Sequence, residues 1–189
     1  LDTGVCGQEV SLNAFADRGG MGHWILKSGN LNAVFAPDDF ESTDVTTDIL
    51  TTDFEVMEYG WVLETPRCVD TAFVEIVHYK DPDHPPYFLP QDTVVEMYFS
   101  SEWVLEAVAP TAGGGYWRVA DGSYGSVTDL FSNPTTATNL ELEETSTFVW
   151  TVSNPMIIGS EVCGPYEDEL PIVRHDLTQY EGFSPGNGD

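Results

Sequence analysis

Positive charge is scarce in this chain: six Lys plus Arg stand against 32 Asp plus Glu among 189 residues, for a formal net charge of −26. The deficit runs through both halves, with 15 acids and 4 bases up to Pro82 and 17 acids and 2 bases after it. Binding to a phosphate backbone needs a basic stripe, so nucleic acid is excluded as a partner. Long apolar runs are missing too, and nothing approaches the roughly 18–20 residues of a membrane span. Leu1-Asp2-Thr3 has neither the basic start nor the apolar run of a signal peptide, so a mature protein or a fragment is expected. No His pair has metal-ligand spacing, no Gly-rich loop leads into a helical pattern, and no nucleophile stands beside a base. Catalysis is therefore not expected, and the acidity reads as a solvated, self-repelling surface, with divalent-cation sites as the alternative.

What is present is a message stated twice. Leu12-Asn13-Ala14-Phe15-Ala16 returns as Leu105-Glu106-Ala107-Val108-Ala109, and Gly22-His23-Trp24 returns as Gly115-Tyr116-Trp117. Tyr59-Gly60-Trp61 answers to Phe148-Val149-Trp150, Cys68 to Cys163, and His78 to His175. Alternation dominates over helical spacing: Val10, Leu12 and Ala14 share one face, as do Trp103, Leu105 and Ala107, Tyr59, Trp61 and Leu63, and Phe148, Trp150 and Val152. Turn clusters such as Ala36-Pro37-Asp38-Asp39 and Ser132-Asn133-Pro134 separate these segments. The expected fold is all-β, two tandem immunoglobulin-like β-sandwiches over residues 1–82 and 83–176, with 177–189 as a tail or linker to a next unit. Trp24, Trp61, Trp117 and Trp150 are expected in the cores. Less regular aromatics, Tyr116 and Tyr124, are the candidates for a sugar-stacking surface.

The three cysteines suggest a bridge between Cys6 and Cys68, joining the start of the first domain to the strand after its second Trp and suiting an oxidising setting. The alternative is two buried free thiols, with Cys163 a partnerless remnant. Asp81-Pro82-Asp83-His84-Pro85-Pro86 reads as a short, stiff Pro-rich linker, in which Asp81 and Asp83 could hold Ca²⁺ and otherwise are simply solvated; no other cofactor is expected. From the second Trp to the next Cys is seven residues in copy one and thirteen in copy two, the extra ones including Met156-Ile157-Ile158. That apolar tip folds back on its own domain or docks into a neighbouring unit, and Tyr180 and Phe183 in the tail invite the same pair of readings.

In order, Cys6-Gly7, Leu12-x-Ala14, Gly22-x-Trp24, Ser28-Gly29, an acidic Thr-rich stretch, Tyr59-x-Trp61 and Cys68-x-Asp70 form a pattern that resembles the immunoglobulin-like, PKD-like repeats of very large cell-surface adhesins, including gliding-motility adhesins, of Bacteroidetes-type bacteria. The join of Ser184-Pro185-Gly186-Asn187-Gly188-Asp189 to Leu1-Asp2-Thr3-Gly4-Val5-Cys6 is similar to that family's lead-in between repeats. Copy two departs from the pattern, with Phe99 at the place of Cys6 and the longer loop before Cys163. The resemblance implies export to the cell surface through a type IX route and display as an extended fibre. It also implies O-glycan attachment at Thr71 and Thr93, within Asp70-Thr71-Ala72 and Asp92-Thr93-Val94. The expected role is a structural repeat or subunit of an extracellular fibre or giant adhesin, its partners being copies of itself head to tail. A strand donated by the tail is one means of joining them. The alternatives are a carbohydrate-binding or adhesin domain that recognises surface glycans, aided by Ca²⁺, and an accessory domain of a secreted hydrolase.

Overall fold

A computed structural model describes residues 3–15, 21–39, 41–82, 88, 94–98 and 100–176. Among the described residues its elements are fourteen strands: β1 (Thr3–Cys6), β2 (Glu9–Asn13), β3 (Met21–Ser28), β4 (Ala33–Ala36), β5 (Ser42–Thr47), β6 (Phe54–Glu64), β7 (Val69–Tyr79), β8 (Val95–Met97), β9 (Trp103–Leu105), β10 (Gly114–Val119), β11 (Ser126–Val127), β12 (Thr135–Thr138), β13 (Thr145–Asn154) and β14 (Cys163–Arg174). Strand content follows from the alternating text. In β5 every second residue is buried, so Thr43, Val45 and Thr47 face inward while Ser42, Asp44 and Thr46 face water.

The first copy forms two sheets, one ordered β1-β7-β6-β3 and one ordered β2-β5-β4. The second copy repeats this plan strand for strand, as β8-β14-β13-β10 and β9-β12-β11. In each copy the first strand lies parallel to the last, Thr3 opposite Ile76 and Val95 opposite Ile172. All-β architecture with two tandem immunoglobulin-like sandwiches is thus observed. By internal contacts the chain divides into unit 1, comprising Leu1–Asp83, Thr111–Gly114 and Ser153–Pro165, and unit 2, comprising His84–Pro110, Gly115–Val152 and Tyr166–Asp189.

In unit 1 the core gathers Leu12, Trp24, Val45, Met57, Tyr59, Trp61 and Ile76. Trp24 and Trp61 stand opposite each other on β3 and β6, with ring centroids 5.3 Å apart at 54°. In unit 2, Trp117 and Trp150 repeat the arrangement at 5.0 Å and 46°, among Leu105, Ala137, Phe148, Leu170 and Ile172. Tilted rings of this kind put the positive edge of one π-system towards the negative face of the other, and each indole removes a large apolar area from water.

One expectation is overturned. Cys6 does not pair with Cys68; it is bonded to Cys163, with Cα atoms 5.0 Å apart, and Cys68 is a free, exposed thiol. The reason lies in the register. Cys6 is opposite Tyr79 at the far end of β7, whereas Cys68 precedes Val69 at its start. Ten strand steps of about 3.3 Å hold those two ends roughly 30 Å apart, and a disulfide needs Cα atoms within about 7 Å. Cys163, taken from the sequence as partnerless, is the true partner.

Candidate functional site

A set of specific contacts in unit 1 surrounds the Cys6–Cys163 bond. The ends of β1 and β7 meet here, because the parallel ladder runs from Thr3–Ile76 to Cys6–Tyr79 and continues with the Gly7 N–H donating to Tyr79 O at 2.8 Å. Lys80 N–H then donates to Asp53 O at 2.9 Å, closing β7 onto the start of β6. The loop Ser153–Pro165 completes the cluster. Asn154 Nδ2 donates to both Asp53 O (2.6 Å) and Lys80 O (2.7 Å), and Cys163 Sγ lies 3.4 Å from Tyr79 O. Asn154 is 3% exposed and Cys163 1%.

Two glycines make the fit possible. A Cβ on Gly4 would come within 2.9 Å of Val162 Cγ2 and 3.0 Å of the Tyr79 ring. Gly113, at φ +67°, adopts backbone that L-residues disfavour, and a Cβ there would come within 2.7 Å of Asn154 Cβ. Met156 packs against Gly114, whereas Ile157 and Ile158 are 56% and 58% exposed. The lengthened loop therefore uses Asn154, Met156, Val162 and Cys163 for contact and leaves its Ile-Ile tip open.

Beneath this cluster lies a buried polar relay. Tyr59 OH is 2.9 Å from His78 Nε2, and His78 Nδ1 is 3.0 Å from Gly7 O, with both side chains fully buried. A carbonyl can only accept, so Nδ1 carries the proton and Nε2 accepts from the tyrosine. Burial pushes the Tyr59 hydroxyl up to about 12. It also holds the His78 imidazole below its ordinary value, against the opposing pull of Gly7 O. His78 is thereby a structural donor that ties the turn after β1 to β7. The matching His175 stacks on Tyr98 at 5.0 Å and lies 3.2 Å from Glu143 Oε2 in unit 2. Glu143 is held below the usual carboxylate range, first by the Asp176 N–H and then by His175.

The remaining candidates fall as follows. Asp81 brings a carboxylate oxygen within 4.8 Å of the Cys6 and Cys163 sulfurs. Those sulfurs are spent in a disulfide rather than available as thiolates, and Ca²⁺ prefers six to eight oxygens. Asp83, Thr93, Tyr180 and Phe183 lie outside the described residues. Thr71 is half-buried on β7, its N–H donating to Asp70 Oδ1 at 2.9 Å. Tyr116, expected among exposed sugar-stacking aromatics, is 8% exposed and packs on Phe131, whereas Tyr124 is 49% exposed. An open, acidic hollow of about 380 Å³ runs over β2 and β5, lined by Glu9, Ser11, Asp44 and Thr46 together with Val10 and Val45.

No protein-family model matches the chain, and no curated protein matches it. Among solved structures it is similar to an I-band fragment of titin, at 8% identity and TM-score 0.47, with 93% of this chain and 63% of the titin fragment covered. It is similar also to a fragment of human cadherin-23, at 14% identity and TM-score 0.39, covering 88% of this chain and 67% of that one. Fibronectin(III)-like modules of CbhA from Clostridium thermocellum give 10% identity and TM-score 0.42, with 96% and 94% covered. The chain thus spans less than two thirds of the titin fragment.

The contacts missing from the sequence expectations are Gly4, Tyr79, Asn154 and Val162. Their signal was present as two departures of copy two, the lengthened loop and the loss of the first cysteine. Two cysteines in one copy and one in the other are what remains when a bond crosses between copies.

Proposed function

We propose that this chain is a tension-bearing structural repeat of an extracellular fibre or large bacterial surface adhesin, joined head to tail with further units of its kind. One observation carries the proposal: the first and last strands of each sandwich are parallel neighbours, β1 beside β7 and β8 beside β14. A pull on the two ends of such a sandwich slides the neighbouring strands past each other, so their ladder hydrogen bonds are strained together instead of one at a time; with Cys6–Cys163 closed, a pull on the ends of the chain is carried first by the sulfur bridge and reaches these ladders once it opens. The Cys6–Cys163 bond fits display in an oxidising space, since disulfides persist there and are scarce where thiols are kept reduced. An excess of 26 negative charges keeps neighbouring fibres from clumping sideways.

Single-molecule force extension tests the proposal. With the Cys6–Cys163 bond reduced, so that the load reaches the ladders, the chain pulled through its ends should rupture at distinctly higher force than the same reduced chain pulled through handles at the starts of β3 and β4, which peels strands apart. Equal rupture forces in the two geometries would refute a mechanical role.

A further inference from the structure

One end of the second sequence copy belongs to unit 1 and is buried there. Ala112, Ser153, Asn154 and Cys163 are each no more than 3% exposed. By the internal repeat, Gly114 answers to Met21, Ser153 to Glu64 and Cys163 to Cys68, so the matching end of copy one is the start of β3 together with the Thr65–Cys68 turn. That end is open. Met21 and Val69 both stand opposite Glu64, one on each side, and are 83% and 63% exposed. Cys68 is an exposed thiol.

The same end of the same sandwich is therefore covered in one copy and bare in the other, and the covered case shows what covers it: the ends of a first and a last strand, closed by a cysteine on the first. We propose that the bare end receives the corresponding strand ends of another sandwich unit, and that Cys68 forms a disulfide with a cysteine at the last residue of that unit's first strand. This deepens the head-to-tail reading above and rests on it.

The pairing excludes the second sandwich of an unaltered further copy as the covalent partner. Thr3 stands opposite Ile76 as Glu96 stands opposite Val173, and three residues on from each, Cys6 is answered by Phe99. The partner is a unit of this type that retains the cysteine. In the reaction, the two thiols lose two protons and two electrons, the S–S bond forms, and the electrons reduce a disulfide oxidant, such as an oxidised thiol–disulfide oxidoreductase, to its dithiol. Thr65 Oγ1 lies within hydrogen-bond distance of the Cys68 sulfur, at 3.1 Å.

The test is a tandem of two full chains, Asp189 followed directly by Leu1, with Phe99→Cys in the leading copy, oxidised with a glutathione pair. Peptide mapping without reductant should link the introduced cysteine to Cys68 of the trailing copy, with Cys6–Cys163 intact in both. In the tandem without the substitution, the trailing Cys68 should be alkylated at least tenfold more slowly than the leading one, because it is covered even without the bond. Equal alkylation rates together with no such link, or a Cys68–Cys68 link alone, would overturn the inference. If terminal pulling of the reduced chain still gives the higher rupture force while both Cys68 thiols react equally, the tension-bearing reading survives and this inference does not.

Discussion

The indole of Trp61 occupies the space that a side chain on Gly22 would need: a Cβ there would fall within 2.6 Å of Cε2 and Cη2 of the ring. Gly115 stands in the same relation to Trp150, where a Cβ would come within 2.6 Å of Cη2. The glycine of each Gly-x-Trp motif is thus there for the other tryptophan, the one across the sheet. Gly22→Ala should force the Trp61 ring out of its place and destabilise unit 1 by about 1–3 kcal/mol, the usual range for overpacking. Gly115→Ala should do the same in unit 2. Urea titrations followed by Trp fluorescence measure both, and a midpoint unchanged in either variant would contradict the packing described.

Loss of the Cys6–Cys163 bond, by Cys6→Ser or by reductant, should lower stability by roughly 2–5 kcal/mol, because the bond spans 157 residues and restrains a large loop in the unfolded chain. Cys68→Ser should leave the isolated chain's stability within about 0.5 kcal/mol, since its thiol lies on an exposed turn. If Cys68→Ser were instead the damaging change under oxidising conditions, the pairing would be wrong.

Asn154 caps two carbonyls at one end of the β6–β7 pair, Asp53 just before β6 and Lys80 just after β7. Asn154→Ala removes both bonds at a site that is nearly closed to water, and should cost about 1–3 kcal/mol. Thermal denaturation of the variant, with the disulfide verified intact, separates this loss from that of the sulfur bridge.

Burial keeps His78 neutral in the folded state, at a pH where the unfolded chain takes up a proton. Below the ordinary histidine value of about 6.5 the unfolded state binds more protons, so stability rises with pH in that range. It should be fully present above that value and drain away as the pH falls through it. Tyr59 has the opposite sign: its hydroxyl, raised to about 12, contributes stability that is present below the ordinary tyrosine value of about 10 and lost as the pH climbs past it. Urea midpoints at about pH 7.5 and about pH 5, taken for the chain and for His78→Gln, isolate the first effect. The acid loss should be smaller in the variant; identical losses would remove His78 from the account.

Much of this molecule was decided locally. Alternation of apolar and polar residues selects strands, because a pleated ribbon turns successive side chains to opposite faces, and the doubled order of motifs makes two copies of one sandwich. The four tryptophans could be placed in cores from their repeated positions on strand-like segments. What the sequence did not settle was where the ends of strands meet. Cys6 and Cys68 are companions in the linear pattern, yet an 11-residue strand stands between the places they occupy. The parallel pairing of β1 with β7 carries Cys6 instead to the loop that holds Asn154, Val162 and Cys163. Likewise nothing in the spelling of Tyr116 says that Phe131 will cover it. Periodicity reports which face of a strand is buried, whereas partners brought together from 71 to 157 residues away depend on register and sheet order, which only the assembled sandwich defines.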